Sequence, residues 1–109
     1  MIGYTIKPKV PLRGKITIPS FFNDLPVLAI SPYFVSGDEH NITHVFCAPN
    51  SQLLVIRERA FEINSNLVYF DFTQNTVRVV ESRAFLQCAL DNSKLALSQN
   101  LYWVGSEAF

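Results

Sequence analysis

The segment Leu53-Leu-Val-Ile-Arg-Glu-Arg-Ala-Phe61 returns twice along the chain with the same pattern of apolar residues. The copies are Val77-Arg-Val-Val-Glu-Ser-Arg-Ala-Phe85 and Leu101-Tyr-Trp-Val-Gly-Ser-Glu-Ala-Phe109. Each copy begins with an apolar residue, has a second one three positions later and ends with Ala-Phe, and the copies are evenly spaced along the chain. A fixed period of this length is typical of solenoid proteins, in which each repeat packs against its neighbours. The chain is therefore expected to fold as a solenoid.

Composition limits the classes of protein to which the chain can belong. It has 109 residues, of which 49% are apolar and 17% charged, which fits one folded domain and excludes a disordered tail. Nine basic residues balance nine acidic ones, so no field of one sign exists to hold a nucleic acid or an anionic membrane. We expect no nucleic-acid partner and no membrane insertion. No apolar run has the length of a signal peptide, which favours a cytoplasmic or cytoskeletal location.

A second set of segments, at positions 42–47, 67–72 and 92–97, is also evenly spaced. Alternation of side chains along a strand predicts which residues point inward. The inward residues are Ile42, Val45, Cys47, Leu67, Phe70, Phe72, Leu95 and Leu97. The outward residues form two rows, His44 with Tyr69 and Lys94, and Phe46 with Asp71 and Ala96. Lys15 and Thr17 are predicted to begin these rows on an earlier strand.

The first residues of the chain predict a cap for the solenoid. Residues 4–10 and 15–19 alternate apolar and polar side chains, and residues 11–14 have the composition of a turn. The two strands are expected to pair as a hairpin that covers apolar residues at the end of the stack.

The Ala-Phe pairs are predicted to form the corners of the repeats. Ala60, Ala84 and Ala108 are small enough for a tight corner, while the three phenylalanines that follow them can stack in the core. This interpretation assigns the recurring segment to packing and not to chemistry.

Several of these residues carry a resemblance to a known family. Residues 16–20 read Ile-Thr-Ile-Pro-Ser and residues 84–88 read Ala-Phe-Leu-Gln-Cys. Together with the Ala-Phe corners, they resemble the BspA-like leucine-rich repeats over residues 14–109. The resemblance implies a right-handed leucine-rich-repeat solenoid, β-rich, with short parallel strands on the concave side, turns, and at most short helical corners. It also implies a cell-surface or adhesion protein that binds other proteins.

The predicted domain organisation is a single leucine-rich-repeat domain over residues 1–109. Residues 1–14 form the cap, and residues 15–109 form about four repeats, the last of them incomplete. Three positions depart from the repeat. Either one residue is deleted near Ile30, or Phe34 and Val35 replace the Ala-Phe pair; Asn64 replaces a cysteine; and Asn92 replaces a leucine. The step from Ile30 to Ile56 is two residues longer than the later steps, and the extra residues are assigned to the loop at positions 37–44.

No set of residues predicts an enzyme, a cofactor or a metal site. His40 and His44 have the spacing of two metal ligands on a helix, but the turn residues around them predict a loop and a strand. Cys47 and Cys88 have no short spacing to another ligand and are interpreted as buried small hydrophobes. Residues 41–43 read Asn-Ile-Thr, an acceptor sequence for N-glycosylation.

The sequence therefore predicts a non-enzymatic protein-binding module. Its predicted partner-binding residues lie on the outward rows of the strands, on the concave face of the solenoid: His44, Phe46, Tyr69, Asp71 and Lys94. The alternative is an intracellular structural component of a larger assembly, which contacts its neighbours through Tyr102, Trp103 and Phe109. The lack of an apolar run of signal-peptide length and the interpretation of both cysteines as buried small hydrophobes favour the alternative, while the resemblance and the glycosylation sequence favour the binding module.

Overall fold

The computed structural model describes residues 3–6, 11–35, 40–73, 76–90, 100–101 and 103–109 of the chain. Within these ranges the backbone forms short strands and no helix, so the corners contain turns instead of the short helices that the sequence allowed. The strands are β1 (Tyr4–Ile6), β2 (Arg13–Ile18), β3 (Phe21–Phe22), β4 (Leu25–Ile30), β5 (Asn41–Cys47), β6 (Val55–Ile56), β7 (Tyr69–Phe70), β8 (Val79–Val80) and β9 (Trp103–Val104).

The strands form two sheets that wind into a β-solenoid of about three turns. In the large sheet, the order β1-β4-β6-β8-β9 is parallel throughout, and β3 pairs with β4 in the antiparallel sense. In the small sheet, β2, β5 and β7 are parallel. One turn of the solenoid is called a coil below. The predicted β-rich solenoid with short parallel strands is confirmed.

The core lies inside the coils and is formed by the inward residues of both sheets. In the large sheet, Ile30, Ile56 and Val80 are in register and fully buried. In the small sheet and the turn after it, the predicted inward residues Ile42, Val45, Leu67, Phe70 and Phe72 are buried, and Cys47 is half-buried against the same core. The prediction of which residues in the first two segments point inward is therefore confirmed. The third segment, at positions 92–97, lies outside the described residues.

The Ala-Phe pairs form corners that are bonded from one coil to the next. The amides of Arg59 and Phe61 donate to the carbonyls of Ser82 and Ala84, and those of Arg83 and Phe85 donate to Ser106 and Ala108 in the same manner. The alanines are buried, as a tight corner requires. The residue before each alanine has a positive φ: Arg59, Arg83 and Glu107 lie between 56° and 59°. These residues occupy the left-handed region, which costs about 1–2 kcal/mol per residue.

Phe34 and Val35 occupy the Ala-Phe corner of the first coil. Tyr33 has a φ of 56°, like Arg59, and the amides of Tyr33 and Val35 donate to the carbonyls of Glu58 and Ala60. Of the two alternatives at this corner, replacement of Ala-Phe is confirmed. Val35 takes the place of the stacking ring, and the ring of Phe34 meets Phe61 edge-on at 5.7 Å between centroids.

The predicted hairpin between the first two strands is wrong. β1 pairs with β4 in the large sheet and β2 pairs with β5 in the small sheet, so β1 and β2 belong to different sheets. The hairpin that does occur joins β3 to β4 through Asn23 and Asp24, whose φ angles are 49° and 65°. Two consecutive positive φ angles match the twist of a two-residue hairpin, and Asn and Asp tolerate them well.

The two extra residues of the first coil are not both in the loop before His44. The register equates Ile30 with Ile56 and His44 with Tyr69, and the segment from Ile30 to His44 is one residue longer than its counterpart in the next coil. The segment from His44 to Ile56 is also one residue longer than the segment from Tyr69 to Val80. One extra residue therefore precedes His44 and the other follows it.

Candidate functional site

The small sheet brings the predicted outward rows together on its solvent side, called the outer face below. Lys15 is in register with His44, and His44 is in register with Tyr69. Thr17 is in register with Phe46. Parallel strands lie about 4.8 Å apart, so residues in register are direct neighbours across the sheet. The predicted start of the two rows at Lys15 and Thr17 is confirmed.

The register depends on a bulge at Gly14. Gly14 is opposite Ile42 and Lys15 is opposite His44, so the pairing passes over Thr43. Gly14 has a φ of 67°, and nothing lies within 4 Å of the place where a Cβ atom would stand. Glycine is therefore favoured here by the backbone angle and not by lack of space. Without this bulge, Lys15 would shift away from His44.

Three rings form a compact cluster on the outer face, called the aromatic cluster: His44, Phe46 and Tyr69. The His44 and Phe46 rings are nearly parallel with centroids 6.1 Å apart, and Tyr69 lies 6.1 Å from His44 and 5.5 Å from Phe46. All three residues are half-buried, because each ring covers part of the others. Val68 adds an exposed apolar side chain next to Tyr69. The rings hold one another in place and expose part of their apolar surface to solvent.

Tyr69 keeps its phenolic proton at neutral pH. Burial raises the pKa of its hydroxyl, and the nearby Asp71 and Cys47 raise it further. The hydroxyl therefore offers a neutral hydrogen-bond donor and acceptor at the edge of an apolar cluster.

Asp71 is close to the aromatic cluster, but its carboxylate is bound within the chain. Oδ1 accepts hydrogen bonds from the backbone amide and the hydroxyl of Thr73, and Oδ2 accepts a longer one from the amide of Cys47 at 3.4 Å. These bonds fix the turn after β7 and join it to β5. Asp71 thus lies at the predicted site, but its carboxylate also stabilises the turn after β7, which the sequence did not indicate.

Two cationic side chains lie on β2, with Lys15 in register with His44 of the aromatic cluster and Arg13 in register with Asn41. Lys15 and Arg13 are exposed, and neither forms an ion pair with any of the described residues. Arg13 also lines a polar hollow of about 280 Å³ with His40, Asn41 and Asn66. The sequence prediction named Lys15 only as the start of a row. Extending the rows to their first member would have added it to the site.

Two of the predicted contact residues, Lys94 and Tyr102, lie outside the described residues. Of the other residues predicted to contact an assembly, Trp103 is 48% exposed and Phe109 39%. Phe109 stacks on Phe85 with ring centroids 5.2 Å apart, so one ring face is already covered.

The described part of the chain contains no group of three or more His, Cys, Asp or Glu side chains that could hold a metal ion. The Nδ1 atom of His40 accepts a hydrogen bond from the Leu12 amide, and Nδ1 of His44 is 2.9 Å from the Thr43 hydroxyl. Burial raises the pKa of Cys47 to about 11 and that of Cys88 to about 12, so both thiols are protonated and poorly nucleophilic at neutral pH.

The described residues include no helix that is long and apolar enough to cross a membrane. Comparisons of the chain with protein-family models, with curated proteins and with solved structures find no match. A proposal about function therefore depends on the surface chemistry of the solenoid.

Proposed function

We propose that this chain is a non-enzymatic protein-interaction module and that the outer face of the small sheet binds its partner. The observation that carries the proposal is the aromatic cluster of His44, Phe46 and Tyr69 on the solvent side of a regular sheet. The core is complete without these rings, since Ile42, Val45 and Phe70 fill the inner side of the same strands.

Aromatic rings of this kind supply binding free energy at low entropic cost. Tyrosine and phenylalanine have only two rotatable side-chain bonds, and the three rings already restrict one another. Interface residues whose truncation to alanine costs about 2 kcal/mol or more are enriched in tyrosine, one of the three rings of the cluster. A partner that covers the cluster would therefore gain apolar burial without first ordering the surface.

We further propose that the solenoid is a leucine-rich repeat of the BspA-like type. Support comes from the evenly spaced Ala-Phe corners and from the short parallel strands that join neighbouring coils. Because proteins of that family are often cell-surface proteins, the resemblance favours a cell-surface location and a protein or matrix partner.

Capture of a partner tests the proposed function. The Phe46→Ala/Tyr69→Ala variant removes two of the three rings from the outer face, and we expect it to lose the partner that the wild-type chain retains from an extract of its own organism. Trp103→Ala is a matched control, because it removes an exposed ring from the large sheet. Circular dichroism should show the same strand content in all three proteins. Full retention of the partner by the double variant would overturn the proposal.

A second candidate function is a structural component of a larger assembly. The observation that favours it is a group of exposed apolar side chains on and near β9, comprising Trp103, Val104 and Phe109. In the neighbouring coil the residue in register with Val104 is the fully buried Val80, so a further layer could bury Val104 in the same way.

The size of the chain in solution tests this alternative. We expect association that rises with concentration in sedimentation velocity experiments and is abolished by Val104→Lys. A monomer at all concentrations up to the millimolar range would contradict the assembly function and leave the binding module untouched.

A further inference from the structure

We infer that the segment recognised by the outer face is an acidic peptide in which carboxylates alternate with apolar or aromatic side chains. This inference rests on the proposed function, because it names the chemistry of the partner at the same face. It follows from the charges around the aromatic cluster.

The free charge beside the aromatic cluster is positive. Lys15 is directly across the sheet from His44, and Arg13 lies two positions earlier on the same strand. Both are exposed, and neither has an ion-pair partner among the described residues. Cations at the corners are different: Arg57 pairs with Glu81 at 2.8 Å, and Arg83 lies 3.6 Å from Glu107. Lys15 and Arg13 are thus available to an external anion.

The carboxylate of Asp71 offsets one of these two positive charges, so the sum over the three side chains stays positive. Both of its oxygens accept bonds from within the chain, from Thr73 and from the Cys47 amide. A lysine or arginine of a partner would meet a carboxylate that already accepts three hydrogen bonds and has little acceptor capacity left. A partner carboxylate, in contrast, meets two exposed cations that form no ion pair with the described residues. Charge complementarity therefore favours an acidic partner over a basic one.

The arrangement favours a peptide over a nucleic acid, although both are anionic. Binding of single strands requires a groove of many positive charges that follows the phosphates, together with stacking rings. The whole chain has a net charge of zero, and among the described strands of the small sheet the only cations are Lys15 and Arg13. Two cations next to an apolar surface match a segment with a few carboxylates between apolar side chains. Arg13 also lines the polar hollow of about 280 Å³, which has room for a carboxylate.

A pair of defined peptides tests the inference. One alternates glutamate with tyrosine and the other alternates lysine with tyrosine, and both carry a fluorescent label for polarisation measurements. We expect the glutamate peptide to bind more tightly by about fivefold to tenfold at low salt, the range that one or two exposed ion pairs supply. The difference should shrink at high salt, where exposed charges are screened.

Charge reversal provides the matched variants. Lys15→Glu should remove or invert the preference for the glutamate peptide. Arg78→Glu should leave it unchanged, because Arg78 is an exposed cation that precedes β8 in the large sheet. Both variants should keep the wild-type thermal midpoint to within a few degrees.

The remaining outcomes separate this inference from the function on which it rests. If both peptides bind equally and Tyr69→Ala weakens both, the face is a binding surface and the acidic specificity is overturned. Equal or tighter binding of the lysine peptide, no effect of Lys15→Glu, or tighter binding of an oligouridine probe would also overturn it. If neither peptide binds, the inference fails, and partner capture by the Phe46→Ala/Tyr69→Ala variant decides the proposed function independently.

Discussion

Asn64 shows how a single side chain can join neighbouring coils. It is only 3% exposed, and its Nδ2 atom donates to the carbonyls of Val35 at 2.6 Å and Phe61 at 3.0 Å. Its Oδ1 atom is buried and has no partner among the described residues. Cys88 takes the same place in the next coil, and its Sγ donates to the carbonyl of Phe61 at 3.0 Å. Asparagine and cysteine thus satisfy the same type of corner carbonyl.

Replacing Asn64 should have a cost that depends on the new side chain. Asn64→Ala removes the side-chain donor to the Val35 carbonyl, and we expect the free energy of unfolding to fall by about 1–3 kcal/mol. Asn64→Cys should lose less, because a thiol can donate to Val35 as Cys88 does to Phe61 and the unpaired Oδ1 is removed. Urea denaturation measures both values. Equal losses in the two variants would contradict the carbonyl-capping role.

The two thiols should make stability fall at high pH. Burial is the main cause that raises their pKa values to about 11 for Cys47 and about 12 for Cys88, from 9.0 in an exposed thiol. The raised pKa means that the unfolded chain loses these protons first. The stabilisation that the two protonated thiols give to the folded chain is therefore complete below about pH 9. It is lost as the pH rises toward about 11 for Cys47 and about 12 for Cys88.

Urea denaturation between about pH 8 and 10.5 measures this loss. We expect a smaller decline in the Cys47→Ala/Cys88→Ala variant, which serves as the control for tyrosine and lysine titration. The thiols of the native chain should also react much more slowly with a disulfide reagent at about pH 8 than those of the urea-unfolded chain. Equal rates in the two states would mean that the thiols are not protected by burial.

At the scale of elements, the corners are held together by a stack of phenylalanine rings. Phe61 and Phe85 are nearly parallel with centroids 5.3 Å apart, and Phe85 and Phe109 continue the stack at 5.2 Å. Phe70 from the small sheet meets Phe61 and Phe85 edge-on. The stack thus joins the corners to the opposite sheet, and Phe85 has rings on three sides.

The central ring of this stack should contribute most to stability. We expect Phe85→Ala to lower the free energy of unfolding by about 3–5 kcal/mol, since the ring is almost fully buried between two others. Phe109→Ala is the matched control at the same position of the repeat, and its loss should be clearly smaller because its ring is partly exposed. Chemical denaturation of the two variants gives the comparison. A larger loss in Phe109→Ala would contradict the role assigned to Phe85.

At the scale of the whole molecule, neighbouring coils are joined in chain order. The corner of the second coil bonds to that of the third through the amide of Phe61, which donates to Ala84. The corner of the third coil bonds to that of the last through the amide of Phe85, which donates to Ala108. The strands follow the same order, from β4 to β6, β8 and β9. In such an arrangement stability is close to a sum of terms between neighbours, and one end can open without the other.

Native-state hydrogen exchange should reveal this division. In Phe85→Ala we expect faster exchange at two amides. The amide of residue 85 donates to Ala108 in the last coil, and the amide of Gly105 in the last coil donates to Val80. The amide of Asn41 donates to Leu12, the residue before β2, and the amide of Ala48 donates to Ile18 at the end of β2. Exchange at these two amides should change much less. Uniform acceleration over all these amides would mean that the solenoid opens only as a single cooperative unit.

Residues in repeated positions were predicted well from the sequence in the copies that the structure describes, because the same local pattern recurs in each of them. The burial of Phe61 and the outward row of His44 with Tyr69 follow from that pattern. The pairing of β1 was predicted wrongly. Its residues alternate like those of β2, and alternation alone does not say which sheet a strand joins.

The sequence by itself determined the repeated architecture of this protein, since an evenly spaced apolar pattern permits few ways of burying the Ala-Phe corners. It also determined which side chains of the small sheet point outward. Only the tertiary structure decided that His44, Phe46 and Tyr69 touch one another, that Asp71 is used by its own turn, and that Lys15 lies beside His44. The physical reason is that Tyr69 and Lys15 reach His44 from strands that are far apart in the sequence, so these distances depend on the register and on the bulge at Gly14. The bonds of Asp71 within its own turn are local, but the spacing of the repeats does not indicate them.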